Sequence, residues 1–357
     1  MTAEVTAALD FALTAEQTAT SPPEARGLER DEVRLLVARP DRLEHARFRS
    51  LPAHLRPGDL LVVNTSATLP AAVDGRRADP DAARRVAVAV HVAGPHPADP
   101  TAWVVEVRRP DNTGPLADAH VGDVIRLPGD VTLRLTAAHP DPAVQRGSRL
   151  WRAHPDPPCP HEPYLLAHGR PVAYAYLDGR WPLATYQPVH ARQPGSAEMA
   201  SAGRPITARL LVDLVARGVQ VAPVVLHAGL SSLEADEPPQ PERFEVPEAT
   251  ARLVNDTRRG GGRVVAVGTT ATRALETAAG PDHLVRAGSG WTELVLGAER
   301  PAQVVGGLIT GWHAPGASHL ALLEAVAGAP LVERAYAAAL ASGYLWHEFG
   351  DSCLLLP

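Results

Sequence analysis

The sequence has 357 residues, of which 45% are hydrophobic and 21% are charged, as expected for a folded globular protein with room for two domains. It contains no lysine, so all 34 basic side chains are arginine, which excludes Schiff-base catalysis and a P-loop lysine. The formal net charge of -6 argues against a surface that is basic overall, although it is compatible with a local arginine patch. Two cysteines are too few for a disulfide framework.

No targeting or membrane segment is predicted. Glu4 and Asp10 precede the first arginine, and no apolar core with a cleavage site follows them, unlike a signal peptide. The longest apolar stretch, around residues 210–230, is interrupted by Asp213 and Arg217, which is incompatible with a membrane span. We therefore predict a cytoplasmic protein without membrane association.

The first half of the chain is rich in short β-type runs. Residues 35–37 and 60–63 have the pattern of buried strands, with a helical turn at 51–55 between them. Between residues 73 and 151, turns containing proline, glycine and aspartate separate further β-rich runs. These runs cover residues 86–92, 102–107, 124–127 and 131–135. A series of short strands without a helical period predicts a small antiparallel barrel or sandwich.

A proline-rich connector is predicted at residues 154–164, and after residue 186 strands alternate with helices. The predicted strands cover residues 219–226, 263–267 and 304–308. The predicted helices cover residues 207–216, 247–259, 270–279, 320–327 and 331–341. This alternation is typical of a largely parallel sheet covered by helices. We therefore predict an α/β fold whose discontinuous body, residues 1–70 and 152–357, carries an inserted antiparallel β-barrel domain at residues 71–151.

The most distinctive local motif is a strand that ends at Gly268 and is followed at once by a helix, with Thr269 or Thr270 as the predicted N-cap. Unpaired N–H groups at a helix start attract anions, and ligands of open α/β sheets bind beyond the carboxyl ends of strands. Arg273 and Glu276 lie three residues apart and could face the same pocket. The alternative is a capped helix with a local ion pair and no ligand.

Other candidate residues also follow predicted strands or lie in polar loops. His227 and the pair Trp312 and His313 each follow a strand, and a histidine there is either an acid–base group or a structural one. The remaining candidates are Tyr186 and Gln187 in a loop bounded by proline and glycine, and Asp351 near the C-terminus. No metal site is predicted, because His154, Cys159 and His161 lack a regularly spaced fourth ligand.

Short motifs occur in order along nearly the whole chain. They lie at residues 9–13, 34–37, 45–48, 55–64, 186–189, 194–196, 226–230, 268–276 and 308–315, and at Tyr344, Gly350 and Asp351. Each is weak alone, but as a set in register they resemble the S-adenosylmethionine:tRNA ribosyltransferase-isomerase family of queuosine biosynthesis. We identify the chain as a divergent member of this family, whose fold is an α/β body interrupted by a β-barrel.

The resemblance implies a transferase-isomerase that moves the ribosyl part of S-adenosylmethionine onto the aminomethyl group of a deazaguanine in tRNA. Adenine and methionine leave, and an epoxyqueuosine remains. S-adenosylmethionine is a co-substrate, and no metal or redox cofactor is implied. The sulfonium acidifies the neighbouring 5′ carbon, so a positioned base can remove a proton there, and adenine leaves as its ring nitrogen is protonated.

The resemblance and the strand-end positions together predict the site. The residues predicted to hold S-adenosylmethionine are Thr269, Thr270, Arg273 and Glu276. The predicted substrate-binding set also includes Gly268 and Trp312, with Tyr186, Gln187 and Asp351 as secondary pocket residues. The predicted catalytic residues are His227, His313 and Glu276.

The chain also departs from the family pattern. Asn64 is not followed by the usual Asp-Thr-Arg, residues 201–207 lack the usual His-Phe, and residues 239–243 replace a histidine-rich stretch. These departures leave two alternatives open. One is a related enzyme that uses S-adenosylmethionine on a small deazapurine-like acceptor, and the other is a non-catalytic S-adenosylmethionine-binding protein.

Overall fold

The computed structural model describes residues 9, 11–78, 85–231 and 239–357. The acidic residues Glu4 and Asp10 of the sequence argument lie outside this described part. Across the described ranges, no helix is both long and apolar enough to cross a bilayer.

Seventeen strands occur in the described ranges. They are β1 (Arg34–Ala38), β2 (Leu43–Arg47), β3 (Leu60–Asn64), β4 (Ser66–Thr68), β5 (Ala72–Ala78), β6 (Arg85–His96), β7 (Asp99–Arg108), β8 (Val124–Arg126), β9 (Thr132–His139), β10 (Leu150–Asp156), β11 (Gln193–Ser196), β12 (Gln220–Leu226), β13 (Glu242–Val246), β14 (Val264–Val267), β15 (Gly288–Thr292), β16 (Gly307–Gly311) and β17 (Ser352–Leu355). Six α-helices accompany them in the same ranges: α1 (His161–His168), α2 (Ala208–Ala216), α3 (Glu248–Arg259), α4 (Gly268–Ala278), α5 (His319–Ala327) and α6 (Ala329–Ala341).

The α/β body is built on one large sheet with the strand order β15-β13-β12-β3-β14-β16-β17-β1-β2. The middle strands β12, β3, β14 and β16 run parallel, and antiparallel pairs occur toward both edges. In β3, Leu60 and Val62 belong to one buried cluster and Leu61 and Val63 to another. Because side chains alternate across a strand, this division shows that both faces of the sheet are covered.

The inserted unit is a closed barrel of antiparallel strands in the order β10-β7-β6-β5-β8-β9. Its interior is a separate hydrophobic cluster that contains the fully buried Trp103 and Trp151. Closure leaves no unpaired sheet edge. The predicted α/β fold with an inserted antiparallel barrel is confirmed. The barrel strands run from Ala72 to Asp156, and the domain limits at residues 71 and 151 stay a prediction.

Several predicted element limits differ from the structure. Part of the connector predicted at residues 154–164 forms regular secondary structure, because β10 continues to Asp156 and α1 begins at His161. The strand predicted at residues 304–308 begins only at Gly307, since the backbone N–H groups of residues 303–305 bind a side chain instead of a neighbouring strand.

Candidate active site

A cavity of about 360 Å³ lies at the carboxyl ends of the parallel strands. Gly229 follows β12, Gly268 follows β14, and Trp312 follows β16, and all three line the cavity. This is where open α/β sheets bind their ligands, and the volume is at the lower end of the range of about 300 to 1,000 Å³ found for small-molecule sites.

One wall of the cavity is the amino end of α4. The helix begins at Gly268 directly after β14, and Gly268 has φ +87°, a left-handed conformation that allows the sharp turn. The predicted N-cap role of Thr269 or Thr270 is wrong, because Val267 occupies that position and no side chain caps the helix. Within the described residues, the Thr270 hydroxyl is also without a partner. The first turn therefore presents free donors to the cavity.

Arg273 lines the cavity, but protein acceptors occupy its guanidinium. It forms an ion pair with Glu242 and donates to the carbonyls of Leu294, Gln240 and Thr292. Burial raises the pKa of Glu242, and the Arg273 charge opposes this shift. Arg273 thus fixes the wall near β13 and β15 and has little capacity left to bind a ligand anion.

His313 lines the cavity as a neutral imidazole. Burial, with His319 and His347 nearby, holds the pKa of His313 well below 6.5. The Thr310 hydroxyl donates to the Gly311 carbonyl at 3.0 Å, so the contact of 3.1 Å between Thr310 Oγ1 and His313 Nε2 requires Nε2 to be the donor. His313 Nδ1 is therefore left as a hydrogen-bond acceptor. The ring is stacked on His319 with centroids 4.6 Å apart.

Trp312 and Tyr186 also line the cavity, and both are almost entirely buried. The Trp312 indole lies edge-on to Tyr336 at 4.9 Å and contacts Trp346 at 5.4 Å. Protein rings therefore take much of the Trp312 surface and leave little of it for stacking on a ligand. The ring of Tyr186 packs on Phe349 at 5.3 Å, and its hydroxyl has no hydrogen-bond partner in the part of the chain that is described.

The sequence interpretation missed a second wall of the cavity. We call it the acidic–aromatic wall, and it consists of Tyr174, Tyr176, Glu198 and Glu348. The Tyr174 hydroxyl donates to Glu198 and the Tyr176 hydroxyl to Glu348. The two tyrosine rings are stacked with centroids 5.9 Å apart. Burial raises the pKa of Glu198, and it raises the pKa of Glu348 to about 7. In the sequence, the only local sign of this wall was the i, i+2 spacing of Tyr174 and Tyr176.

His227, predicted to be catalytic, does not line this cavity. Arg243 donates to its Nε2 at 3.1 Å, so Nδ1 must be the donor to the Ser66 hydroxyl at 2.8 Å. The ring also packs against Gly195, where a Cβ would lie 2.3 Å from Nδ1. His227 borders a smaller cleft of about 80 Å³ between barrel and body, and both its nitrogens serve protein contacts.

Glu276, the other acidic residue of the predicted catalytic set, lies outside the cavity and is fully buried. Its carboxylate accepts hydrogen bonds from the backbone N–H groups of Gln303, Val304 and Val305 at 2.8 to 2.9 Å. The catalytic prediction does not fit this position, because three protein donors occupy both oxygens and no cavity surface reaches them. Glu276 instead anchors the segment that leads into β16.

Gln187 and Asp351, predicted to contact the ligand, lie behind the cavity wall. The Gln187 amide forms two hydrogen bonds with the backbone of Thr68, at 3.1 and 2.7 Å. Asp351 accepts from the backbone N–H groups of Arg34 and Leu345 at 2.7 and 2.9 Å. Both residues position cavity elements and do not touch the cavity.

Among the described residues, no group of three or more histidine, cysteine, aspartate or glutamate side chains is arranged to hold a metal ion. Of the three residues weighed as ligands, His154 contacts Asp99 at 3.2 Å, and His161 begins α1. The prediction that no metal takes part remains a prediction.

The fold and the cavity define an α/β protein with an inserted closed barrel and a binding site at the strand ends, bounded by a free helix start and buried carboxyls. A family model described as queuosine biosynthesis protein matches residues 6–355, and the chain belongs to this family. The predicted family membership is therefore confirmed.

Relatives and a solved structure agree with this assignment. A protein of Symbiobacterium thermophilum named S-adenosylmethionine:tRNA ribosyltransferase-isomerase is 34% identical over 97% of this chain and 98% of its own length. Proteins of the same name from Gloeobacter violaceus and Acidiphilium cryptum are 34% and 36% identical, covering 99% and 97% of this chain and 96% and 97% of their own lengths. The crystal structure of S-adenosylmethionine tRNA ribosyltransferase from Thermotoga maritima has 27% identity and a TM-score of 0.52, covering 97% of this chain and 99% of that one.

Proposed function

We propose that this chain is an S-adenosylmethionine:tRNA ribosyltransferase-isomerase. The observation that carries the proposal is the match, over nearly the full length of both chains, to relatives that bear this name. A match of this extent includes every wall of the cavity as well as the barrel. The enzyme would release adenine and methionine and leave an epoxyqueuosine in the tRNA.

The cavity offers suitable partners for the parts of S-adenosylmethionine. The carboxylate of the methionine part is assigned to the amino end of α4, where the N–H groups and the Thr270 hydroxyl await an acceptor. The sulfonium is assigned to the acidic–aromatic wall, because carboxylates and aromatic faces attract cations. His313 Nδ1 would accept a hydrogen bond from the adenine amino group and so orient the leaving base.

The reaction then requires proton transfers, and the acidic side chains that line the cavity are buried. The sulfonium weakens the C–H bonds of the 5′ carbon, and the buried carboxyls next to it are able to accept a proton. No step of this scheme calls for a metal or a redox cofactor.

The acceptor is assigned to tRNA, because the relatives are named tRNA ribosyltransferase-isomerases, and the aminomethyl-deazaguanine is the base that the family resemblance implies. The alternative of a small deazapurine-like acceptor finds no support among them. The departures from the family pattern do lie close to the cavity, since Ser201, Pro239 and Gln240 line it. The acceptor therefore calls for a direct test.

The test is to incubate the purified protein with S-adenosylmethionine and to follow adenine release by chromatography. We expect release with tRNA that carries the aminomethyl base and none with the same tRNA lacking it, which serves as the matched control. Release with the free base or nucleoside alone would replace the tRNA assignment with the small-acceptor alternative. Binding of S-adenosylmethionine without release under any of these conditions would identify a non-catalytic binding protein.

A further inference from the structure

Glu348 lies on a short, strongly constrained loop. Asp351 accepts from the Leu345 N–H, the Asp351 N–H returns to the Leu345 carbonyl at 2.8 Å, and Gly350 donates to the His347 carbonyl at 3.0 Å. A Cβ on Gly350 would come within 2.3 Å of the Leu345 oxygen. His347 has φ +72°, a left-handed conformation that is costly for a non-glycine residue. Such strain persists where surrounding contacts hold it, often at functional sites.

Three carboxyls line the cavity, and Glu348 differs from the other two in its hydrogen bonds. Glu198 accepts from the Tyr174 hydroxyl and from both the N–H and the hydroxyl of Ser231. Glu242 is ion-paired with Arg273. Glu348 Oε2 accepts from the Tyr176 hydroxyl, the backbone N–H of Glu348 itself also stabilises the carboxylate, and within the described residues no other residue bonds to Oε1. Glu348 is thus the cavity carboxyl with an oxygen available for substrate.

The groups around Glu348 favour a carboxyl that exchanges protons near neutral pH. Tyr176 donates to Glu348, Glu198 and Tyr186 interact with it electrostatically, and the His347 ring is stacked on Tyr176 with centroids 4.4 Å apart. Burial raises the pKa of Glu348 to about 7 and the Glu198 charge adds to this, while the Tyr176 hydroxyl opposes it by stabilising the carboxylate. General bases work best with a pKa close to the operating pH.

We propose that Glu348 is the catalytic base that removes the proton from the 5′ carbon of S-adenosylmethionine, with Tyr176 as its positioning residue, an inference that rests on the proposed function. In this step the C–H bond breaks, its electron pair stays on the carbon next to the sulfonium, and the proton forms an O–H bond with Glu348 Oε1. No electron transfer takes place. Tyr176 holds Oε2, which turns Oε1 toward the substrate.

The experiment compares Glu348→Gln with the matched control Glu333→Gln, an exposed residue on α6. Calorimetry measures S-adenosylmethionine binding, and chromatography measures adenine release with the aminomethyl-bearing tRNA. We expect Glu348→Gln to bind S-adenosylmethionine within about 3-fold of wild type and to lose release by about 10²- to 10⁴-fold, the usual contribution of a general base. The control should behave as wild type in both assays.

The pH profile tests the two roles separately. For wild type, kcat/KM should rise with pH and level off above an apparent pKa near 7, because the base must be deprotonated. In Tyr176→Phe this apparent pKa should move upward, because the carboxylate loses its hydrogen-bond donor, whereas a purely structural role would lower the rate without moving the profile. An unmoved profile in Tyr176→Phe would overturn the positioning role.

The outcomes also separate this inference from the proposed function. Wild-type release together with an unimpaired Glu348→Gln variant would overturn the assignment of Glu348 alone. Equal loss of binding and release in Glu348→Gln would make Glu348 a binding residue, which also overturns the proposal. Wild-type protein that releases no adenine with the modified tRNA would overturn the proposed function, and the catalytic role of Glu348 with it.

Discussion

Replacing Glu276 by alanine tests whether this buried carboxylate supports the fold or the chemistry. The substitution removes the acceptor for three backbone N–H groups, at residues 303, 304 and 305. Val304 and Val305 are buried, and each buried donor left without a partner costs about 1 to 3 kcal/mol, so these two cost about 2 to 6 kcal/mol and the part-buried Gln303 adds to that. Because whole proteins are stable by only about 5 to 15 kcal/mol, this is a large fraction of the total.

The assay is the free energy of unfolding from a urea titration, with Glu333→Ala as the exposed control, expected within about 0.5 kcal/mol of wild type. Glu276→Gln gives a graded intermediate, because the amide oxygen can still accept from Val304 and Val305 while the contact with Gln303 is lost. Its expected cost is about 1 to 3 kcal/mol, which keeps the test open if the alanine variant does not fold. Glu276→Gln with wild-type stability and no adenine release would refute the structural role and restore the catalytic one.

Further predictions concern a turn, an ion pair and a loop. Gly268→Ala places a side chain at φ +87°, which should lower the free energy of unfolding by about 1 to 2 kcal/mol and weaken S-adenosylmethionine binding. A variant as stable as wild type in a urea titration would contradict the left-handed turn. Burial acts to raise the pKa of Asp59, but hydrogen bonds from Arg263 and from the Arg56 N–H together outweigh it and lower that pKa. The resulting stabilisation is present above the unfolded value of about 3.9 and is lost as the pH falls through the folded value. Asp59→Asn should therefore lose less stability than wild type between neutral and acidic pH, and an identical pH dependence would argue against the pair. Asp351→Asn should lower the free energy of unfolding by about 1.5 to 3 kcal/mol and reduce adenine release, because the loop that carries Glu348 loosens. A variant that loses adenine release but keeps wild-type stability would indicate direct substrate contact by Asp351.

The sequence predicted the parts of the fold in which burial produces a strong pattern. The middle strands β3, β12 and β14 are apolar on both faces, so their runs of valine and leucine stand out. Of the strands that sequence reasoning missed in the large sheet, β2, β13 and β15 lie at or next to the sheet edges and carry polar residues such as those of Glu242–Val246. A half-exposed strand has too few buried positions to produce a recognisable period. The fully buried β17, which lies between β16 and β1, was missed as well.

The site was harder to predict than the fold, because its groups come from distant parts of the chain. The turn at Gly268 was identified correctly, since a strand end followed by a helix start is a local pattern. Arg273 and Glu276 were also expected to face one pocket. In the structure, the Glu276 carboxylate binds the backbone of residues 303–305, whereas the Arg273 guanidinium pairs with Glu242. The acidic–aromatic wall joins residues as far apart as Tyr174 and Glu348, and nothing in the sequence places them together.

The direct passage from β14 into α4 has a consequence for how a ligand is enclosed. With no loop between Val267 and the helix, the donors of the first turn are fixed to the most deeply buried strands and have no hinge of their own. Any closure over a bound ligand must then come from other segments that line the cavity, such as residues 312–318, which connect β16 to α5. A ligand would first bind to the fixed first turn of α4, and residues 312–318 would then close over it. Substitutions in the first turn should therefore change the association of the ligand, whereas substitutions in residues 312–318 should change its dissociation.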